Sequence, residues 1–230
     1  MSPSRRTTVR DITLVCIADA ILSVSFGATA VSGGLPPWVP IAMSLIVFSG
    51  GAQIAATSIV LAGGSPFAGV AAGVLLNARI LPYSFTVSDI TGTGRWYKRL
   101  LGAHVTTDET VAFALRQETA AERRYAFWTC GIALYLSWNV ATVAGTVAGT
   151  VIRNTAAFGL DATFPAVMIA LALPAVSSRR TAAAAGTGAV AAVALTPVLP
   201  AGLPVVVSLG GLACLWQRRP HRRTTSQEAR

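Results

Sequence analysis

Apolar residues in this chain come in long blocks, not in the one-faced or alternating patterns of a soluble fold. No Asp, Glu, Lys, Arg or His occurs from Ala20 to Ala78, from Tyr125 to Ile152, from Ala162 to Ser178 or from Thr181 to Gln217. A bilayer-crossing helix needs about 20 mainly apolar residues, so these blocks predict several spans. Hydrophobic segments fall near 12–32, 39–62, 66–90, 125–151, 160–176, 182–199 and 202–217. Glycine and proline mark the breaks, in "GGLPP" at 33–37, "GGSP" at 63–66 and "LPAGLP" at 199–204. The expected fold is all-α: a polytopic helical membrane protein of about six to seven hydrophobic helical segments. One transmembrane domain, 1–230, is expected to hold an N-terminal helical half (1–90), a cytoplasmic loop (91–124), a C-terminal helical half (125–217) and a basic tail (218–230). In the loop, Thr107 or Asp108 is placed to cap a short amphipathic helix along the membrane surface.

Composition agrees. Charged residues make up 12% of the chain, where a soluble domain carries about a quarter. The net charge of +9 comes from basic residues flanking the apolar blocks, among them Arg5, Arg6, Arg10, Arg95, Lys98, Arg99, Arg179, Arg180, Arg218 and Arg219. Such flanks mark the cytoplasmic side of a membrane, and no aromatic-rich basic stripe points to nucleic acid. Cys16, Cys130 and Cys214 lie singly in apolar segments and form no metal-binding spacing with His104 or His221, so neither metal nor cofactor is expected. An apolar run ending in "ATA" at 28–30 imitates a signal peptide, but Asp19 interrupts it and the block runs on. An uncleaved first span is the expectation.

Orientation raises a parity problem. From a cytoplasmic C-terminus, four crossings place 177–181 inside, 197–203 outside and 91–124 inside, and the basic residues agree. The basic N-terminus belongs inside too, so an even number of crossings must separate Arg10 from Arg95. Three hydrophobic segments lie there. One of them is therefore re-entrant or broken, with Gly50–Gly51 and Pro82 as the natural places.

The middle segment, "SLIVFSGGAQIAATSIV" at 44–60, carries polar residues at its centre. Ser49, Gln53 and Thr57 are four apart and share a face in a helix. Two arrangements accommodate them. In one, small residues pack a helix face and Gln53 bonds to a neighbour. In the other, the backbone opens at Gly50–Gly51 and lines a cavity, as in the broken helices of transporters. The third segment adds Asn77 and Arg79 within "LLNARILPYSF", ahead of Pro82. An arginine at membrane depth costs about 2.5–3.5 kcal/mol and needs a partner or water, unless it lies near a helix end and snorkels. Asp19 is the other charge in the apolar blocks, and an Asp19–Arg79 pair is one arrangement that would satisfy both. Farther on, Trp138, Thr142 and Gly145 share a face, and Gly145 with Gly149 makes a GxxxG, a device repeated by Gly69 and Gly73.

Taken in order, "FG" at 26–27, "S-x3-F-S-G-G-A-Q" at 44–53, "N-A-R-I-L-x-Y-S" at 77–84, "TDE" at 107–109, "Y-x2-W" at 135–138, "G-x3-G" at 145–149 and "LD" at 160–161 resemble the AzlC family of branched-chain amino-acid permeases. Ile80 stands where that family usually has a histidine, and Ile21 where a proline commonly precedes the FG pair. The resemblance implies a membrane exporter of branched-chain amino acids with a small AzlD-type membrane subunit as partner, and the basic flanks point to a bacterial plasma membrane with both termini cytoplasmic. The substrate-binding candidates are Ser49, Gly50, Gly51, Gln53, Asn77 and Arg79, with Asp19 as a coupling group or ion-pair partner. A zwitterion needs donors for its carboxylate, acceptors for its ammonium and an apolar pocket, and these residues with Phe26 and Phe48 can supply them. The alternatives are a transporter or channel for another small solute, or an accessory subunit that moves nothing itself. An enzyme is not expected: GxSxG, HExxH, a P-loop lysine and paired carboxylates within a span are all missing.

Overall fold

A computed structural model of the chain describes residues 3–92, 94–151, 176, 178–199 and 207–212. Residues 160–175, most of 202–217, Cys214, the "LD" at 160–161 and the basic tail lie outside the described residues. The chain divides into two compact units, Met1–Met168 and Ile169–Arg230. Helices make up the first unit among the described residues, three of them long and apolar enough to span a membrane: Arg5–Ser32, Pro66–Thr86 and Ala120–Val151. The protein is a helical membrane protein.

Helix α1 (Pro3–Ser32) ends where the sequence says it should. Gly34 adopts a φ of +105°, and Leu35 N–H bonds to the Ala30 carbonyl, closing the helix as glycine in the left-handed region commonly does. After Pro36–Pro37 comes the short α2 (Trp38–Ile46), then α3 (Gly50–Leu61). The same stop recurs at Gly63, with φ +83° and Gly64 N–H on the Ile59 carbonyl. Ser65 then caps α4 (Pro66–Asn77), accepting from Ala68 N–H, with Pro66 in the first turn. "GGLPP" and "GGSP" are thus stop-and-start signals with an identifiable mechanism.

Helices α2 and α3 fold back on each other. Gln53 Nε2 donates to the Met43 carbonyl at 2.7 Å, and Thr57 Oγ1 meets Met43 Sδ at 4.0 Å. In one straight helix residues 43 and 57 would stand about 21 Å apart. Leu61, at the end of α3, returns to Gly33, where α1 ended: a Cβ on Gly33 would lie 2.6 Å from Leu61 Cδ1. The pair is a hairpin that enters and leaves at one end of the bundle. This folded-back segment leaves two candidate spans between Arg10 and Arg95, Arg5–Ser32 and Pro66–Thr86, an even number as the parity argument asks, and α3 measures about 18 Å from its open end to its tip. The tip is not at the glycines. Phe48 takes φ +41° and Ser49 is extended, while Gly50 and Gly51 form the first turn of α3.

Helix α4 runs antiparallel to α3, with Gly69 against Ala56 and Gly73 against Ala52. A second break follows at Ala78–Arg79, before α5 (Ile80–Thr86), so Pro82 sits inside α5 and does not interrupt it. Helix α9 (Ala120–Val151) lies parallel to α1, since Gly145 seats on Val24 and Gly149 on Ala28. Ser23 Oγ adds bonds of 2.6 Å to the Trp138 carbonyl and to Thr142 Oγ1. The face expected from Trp138, Thr142 and Gly145 is buried, and α1 is what covers it.

The stretch 91–124 departs from one short surface helix. After α6 (Ser88–Thr91), α7 (Trp96–His104) and α8 (Asp108–Leu115) form a second hairpin. Arg123, early in α9, is level with Asp89 and the Thr86 carbonyl, at 3.3 Å from each. The turn between α7 and α8 lies farther up: a Cβ on Gly131 would touch Val105 Cγ2 at 2.9 Å, and the His104 ring centroid is 5.4 Å from that of Tyr135. From residue 123 to 135 along α9 is about 18 Å. The reason is packing: Val105, Val111 and Ala114 bury with Val87, Ile90 and Phe127 in one apolar cluster. Thr107 does cap α8, in a reciprocal pair with Thr110 (2.8 and 3.3 Å).

In the second unit, α10 (Arg179–Leu195) starts from a matching Ser178–Thr181 cap and packs against residues 207–212, with Gly188 seated on the Ser208 backbone.

Candidate functional site

The two hairpin tips meet. Phe48, at the α2–α3 turn, packs its ring 5.9 Å from His104, at the α7–α8 turn, and 5.0 Å edge-on from Tyr135 of α9. The break between α4 and α5 reaches the same level, because Ser49 Oγ donates to Asn77 Oδ1 at 2.6 Å. Three interruptions of regular helix thus converge at one height of the bundle. Non-helical backbone is tolerated at membrane depth where protein or a water-filled cavity surrounds it.

Ser49 occupies the N-cap position of α3 but spends its hydroxyl on Asn77, so no side chain caps the helix. The leading N–H groups of α3 and their positive dipole end are the ordinary makings of an anion site. Arg79 reinforces it: a Cβ on Gly51 would have Arg79 Nη2 at 3.9 Å as its nearest neighbour and otherwise open space. Gly50 differs, since its Cβ would strike the Trp138 ring at 2.6 Å. Of the two glycines, Gly50 is a packing requirement and Gly51 faces the open side.

Arg79 pairs with Asp108 at the start of α8, Nη1 to Oδ2 at 2.8 Å. Asp19 is not its partner; it lies on α1 within electrostatic reach of Glu109. With side chains 54% and 34% exposed, the Arg79–Asp108 pair is not sealed off by the rest of the chain. Asp108 gave little sign of this in the sequence, where it read as a helix-capping residue in a loop. Tyr135 had entered the sequence reading only through the "Y-x2-W" motif, with no place at the site, and His104 gave no sign at all. The signals available were the "TDE" motif at 107–109 and the polar "TTDET" following the apolar "LLGAHV", neither of which gives a position in space.

Burial pushes the Asp108 carboxyl above its ordinary range, Arg79 opposes that, and Glu109 adds to it. The net direction is upward from the usual value of about 3.9. The folded chain therefore holds this proton more tightly than the unfolded one. Its support for folding is complete below the unfolded value and is lost as pH rises through the folded value. The ion pair behaves oppositely, weakening as acidification protonates Asp108. A cationic group of a solute docks on Asp108 only while it is ionised, so transport should fall on acidification at a pH above the free-aspartate range, and the residual transport of Asp108→Asn should lack that step. Initial rates across a pH series check this.

Gln53 has a different place from the open cluster. It is wholly buried, accepting from Trp138 Nε1 at 3.0 Å and donating to Met43 at 2.7 Å, so it ties both arms of the first hairpin to α9. Ser44 helps by donating to Asn139 Oδ1 at 2.5 Å. Gln53→Leu leaves a buried donor and acceptor unpaired, at about 1–3 kcal/mol each. Its melting temperature should drop along with transport, measured by fluorescence-detected chromatography after heating. Unchanged stability with lost transport would instead put Gln53 in contact with solute.

A family model described as AzlC protein matches residues 15–152, which contain both hairpins, the kink and α9. No curated protein and no solved structure matches the chain.

Proposed function

Because the chain belongs to the AzlC family and so has a membrane-transport role, we propose that it exports branched-chain amino acids (valine, leucine, isoleucine, and methionine as a near-isostere) from a bacterial cell. It would work across the plasma membrane with both termini cytoplasmic and with a small AzlD-like membrane subunit.

The observation that carries this reading is the open Arg79–Asp108 pair beside the uncapped start of α3. A zwitterion complements all of it. The carboxylate docks on Gly51 N–H and the Arg79 guanidinium, and the ammonium on Asp108 with Asn77 Oδ1 beside it. Phe48 and Tyr135 provide apolar surface for a branched side chain. Bound this way, the substrate takes over both halves of the ion pair that ties the α4–α5 break to the start of α8. Losing that link lets the start of α8 shift against the kink, while the apolar cluster around Val111 and Phe127 keeps the second hairpin on α9 and Gln53 with Trp138 keeps the first in place. The site needs neither a metal nor a cofactor for this.

Efflux of labelled valine from proteoliposomes, with and without the companion subunit and a proton gradient, tests the proposal. Saturable efflux that needs this chain is expected. If the companion alone moves valine, this chain is accessory; if another solute moves and valine does not, the substrate class is wrong.

A further inference from the structure

Away from the central cluster, a polar cleft of about 290 Å³ opens at the end of the first unit that carries the N-terminal arginines. It is lined by Thr7, Thr8 and Asp11 of α1 and by Phe113, Arg116 and Gln117 at the end of α8. One carboxylate and one guanidinium face this space, and among the described residues they make no ion pair with each other. Arg116 lies over the ring of the mostly buried Phe113, 5.5 Å from its centroid, which holds the guanidinium beside the one apolar side chain of the lining.

We infer that this cleft is a loading subsite for a free α-amino acid on its way to the central site. Arg116 takes the carboxylate, Asp11 the ammonium, and Phe113 the aliphatic side chain, with Gln117 and the threonines completing a polar rim. The volume suits a valine- or leucine-sized solute. Helix α8 joins the two places: its first residue is Asp108 of the central pair, and Arg116 follows about 12 Å along its axis. A shift of α8 therefore alters cleft and centre together. The inference rests on the amino-acid reading above and deepens it.

The chemistry recognised is an ammonium close to an oxyanion, which a phosphatidylethanolamine headgroup also offers. Equilibrium binding of labelled valine to the purified full chain in detergent separates the cases. Two equivalents per chain are expected for the wild type, one for Arg79→Gln, one for Arg116→Gln and one for Asp11→Asn, with phosphatidylethanolamine displacing neither. A single equivalent in the wild type, or two retained by Arg116→Gln, overturns the loading subsite. Displacement by phosphatidylethanolamine of the equivalent that remains in Arg79→Gln overturns it as well, making the cleft a lipid site. If Arg116→Gln loses one equivalent and Arg79→Gln loses none, the subsite stands and the central reading fails. No valine bound at all sinks both.

Discussion

Arg79→Gln should lower valine efflux by roughly 10- to 100-fold, the worth of one charged hydrogen-bonded contact, while the protein folds and inserts normally. The guanidinium serves two purposes that glutamine cannot. It adds full positive charge at the bare start of α3, and it holds Asp108 at 2.8 Å. Both side chains are partly exposed, so breaking the pair costs little folding free energy; exposed ion pairs contribute about 0–1 kcal/mol. That separates a binding role from a structural one. Lysine keeps the charge but not the forked donor geometry, so Arg79→Lys should recover part of the rate. Efflux rates normalised to membrane protein are the measurement. A melting temperature that falls with the rate would recast Arg79 as a brace.

Gly145→Val should have the opposite profile: little folded protein at all. Helices α1 and α9 touch backbone to backbone, and a Cβ on Gly145 would overlap the Val24 carbonyl. The neighbouring contacts are nearly as tight, with a Cβ on Gly27 at 2.5 Å from the Thr142 carbonyl and one on Gly149 at 2.7 Å from the Ala28 carbonyl. Overpacking a core costs about 1–3 kcal/mol where side chains can adjust, and backbone cannot adjust by rotating a side chain. Separating the helices would also break the bonds of Ser23 to Trp138 and Thr142, and Trp138 in turn supports Gln53. Gly186→Val is the control, because nothing lies within 4 Å of its Cβ position. Monodisperse yield after detergent extraction should collapse for Gly145→Val and hold for Gly186→Val.

The sequence was most legible where a local rule fixes the backbone. The glycines of "GGLPP" and "GGSP" end helices, their prolines help begin the next ones, and Thr107 caps α8, each for reasons contained within a few residues. Counting charges called for a segment that is broken or turns back, and α2 and α3 do fold back on each other. Its tip was misread because glycine is the usual residue at positive φ. Here Phe48 takes that conformation, held by His104 and Tyr135 from distant helices, and such strain persists only where the surroundings impose it. Gly50 is required by Trp138, 88 residues onward in the chain. Arg79's partner was hidden for the same reason. Asp108 looked like part of a surface loop until the α7–α8 hairpin carried it to the level of the kink. Local chemistry shows in the sequence; contacts made by distant elements do not.

The central claim is that solute binds between the hairpin tips, beside Gly51. Gly51→Cys tests it most directly, because the added side chain meets only Arg79, at 3.9 Å. In proteoliposomes holding this variant with its native cysteines replaced by alanine, the rate of labelling by a small thiosulfonate should slow saturably with valine and not with glutamate. A rate unchanged at saturating valine, in protein shown to transport it, would contradict the account.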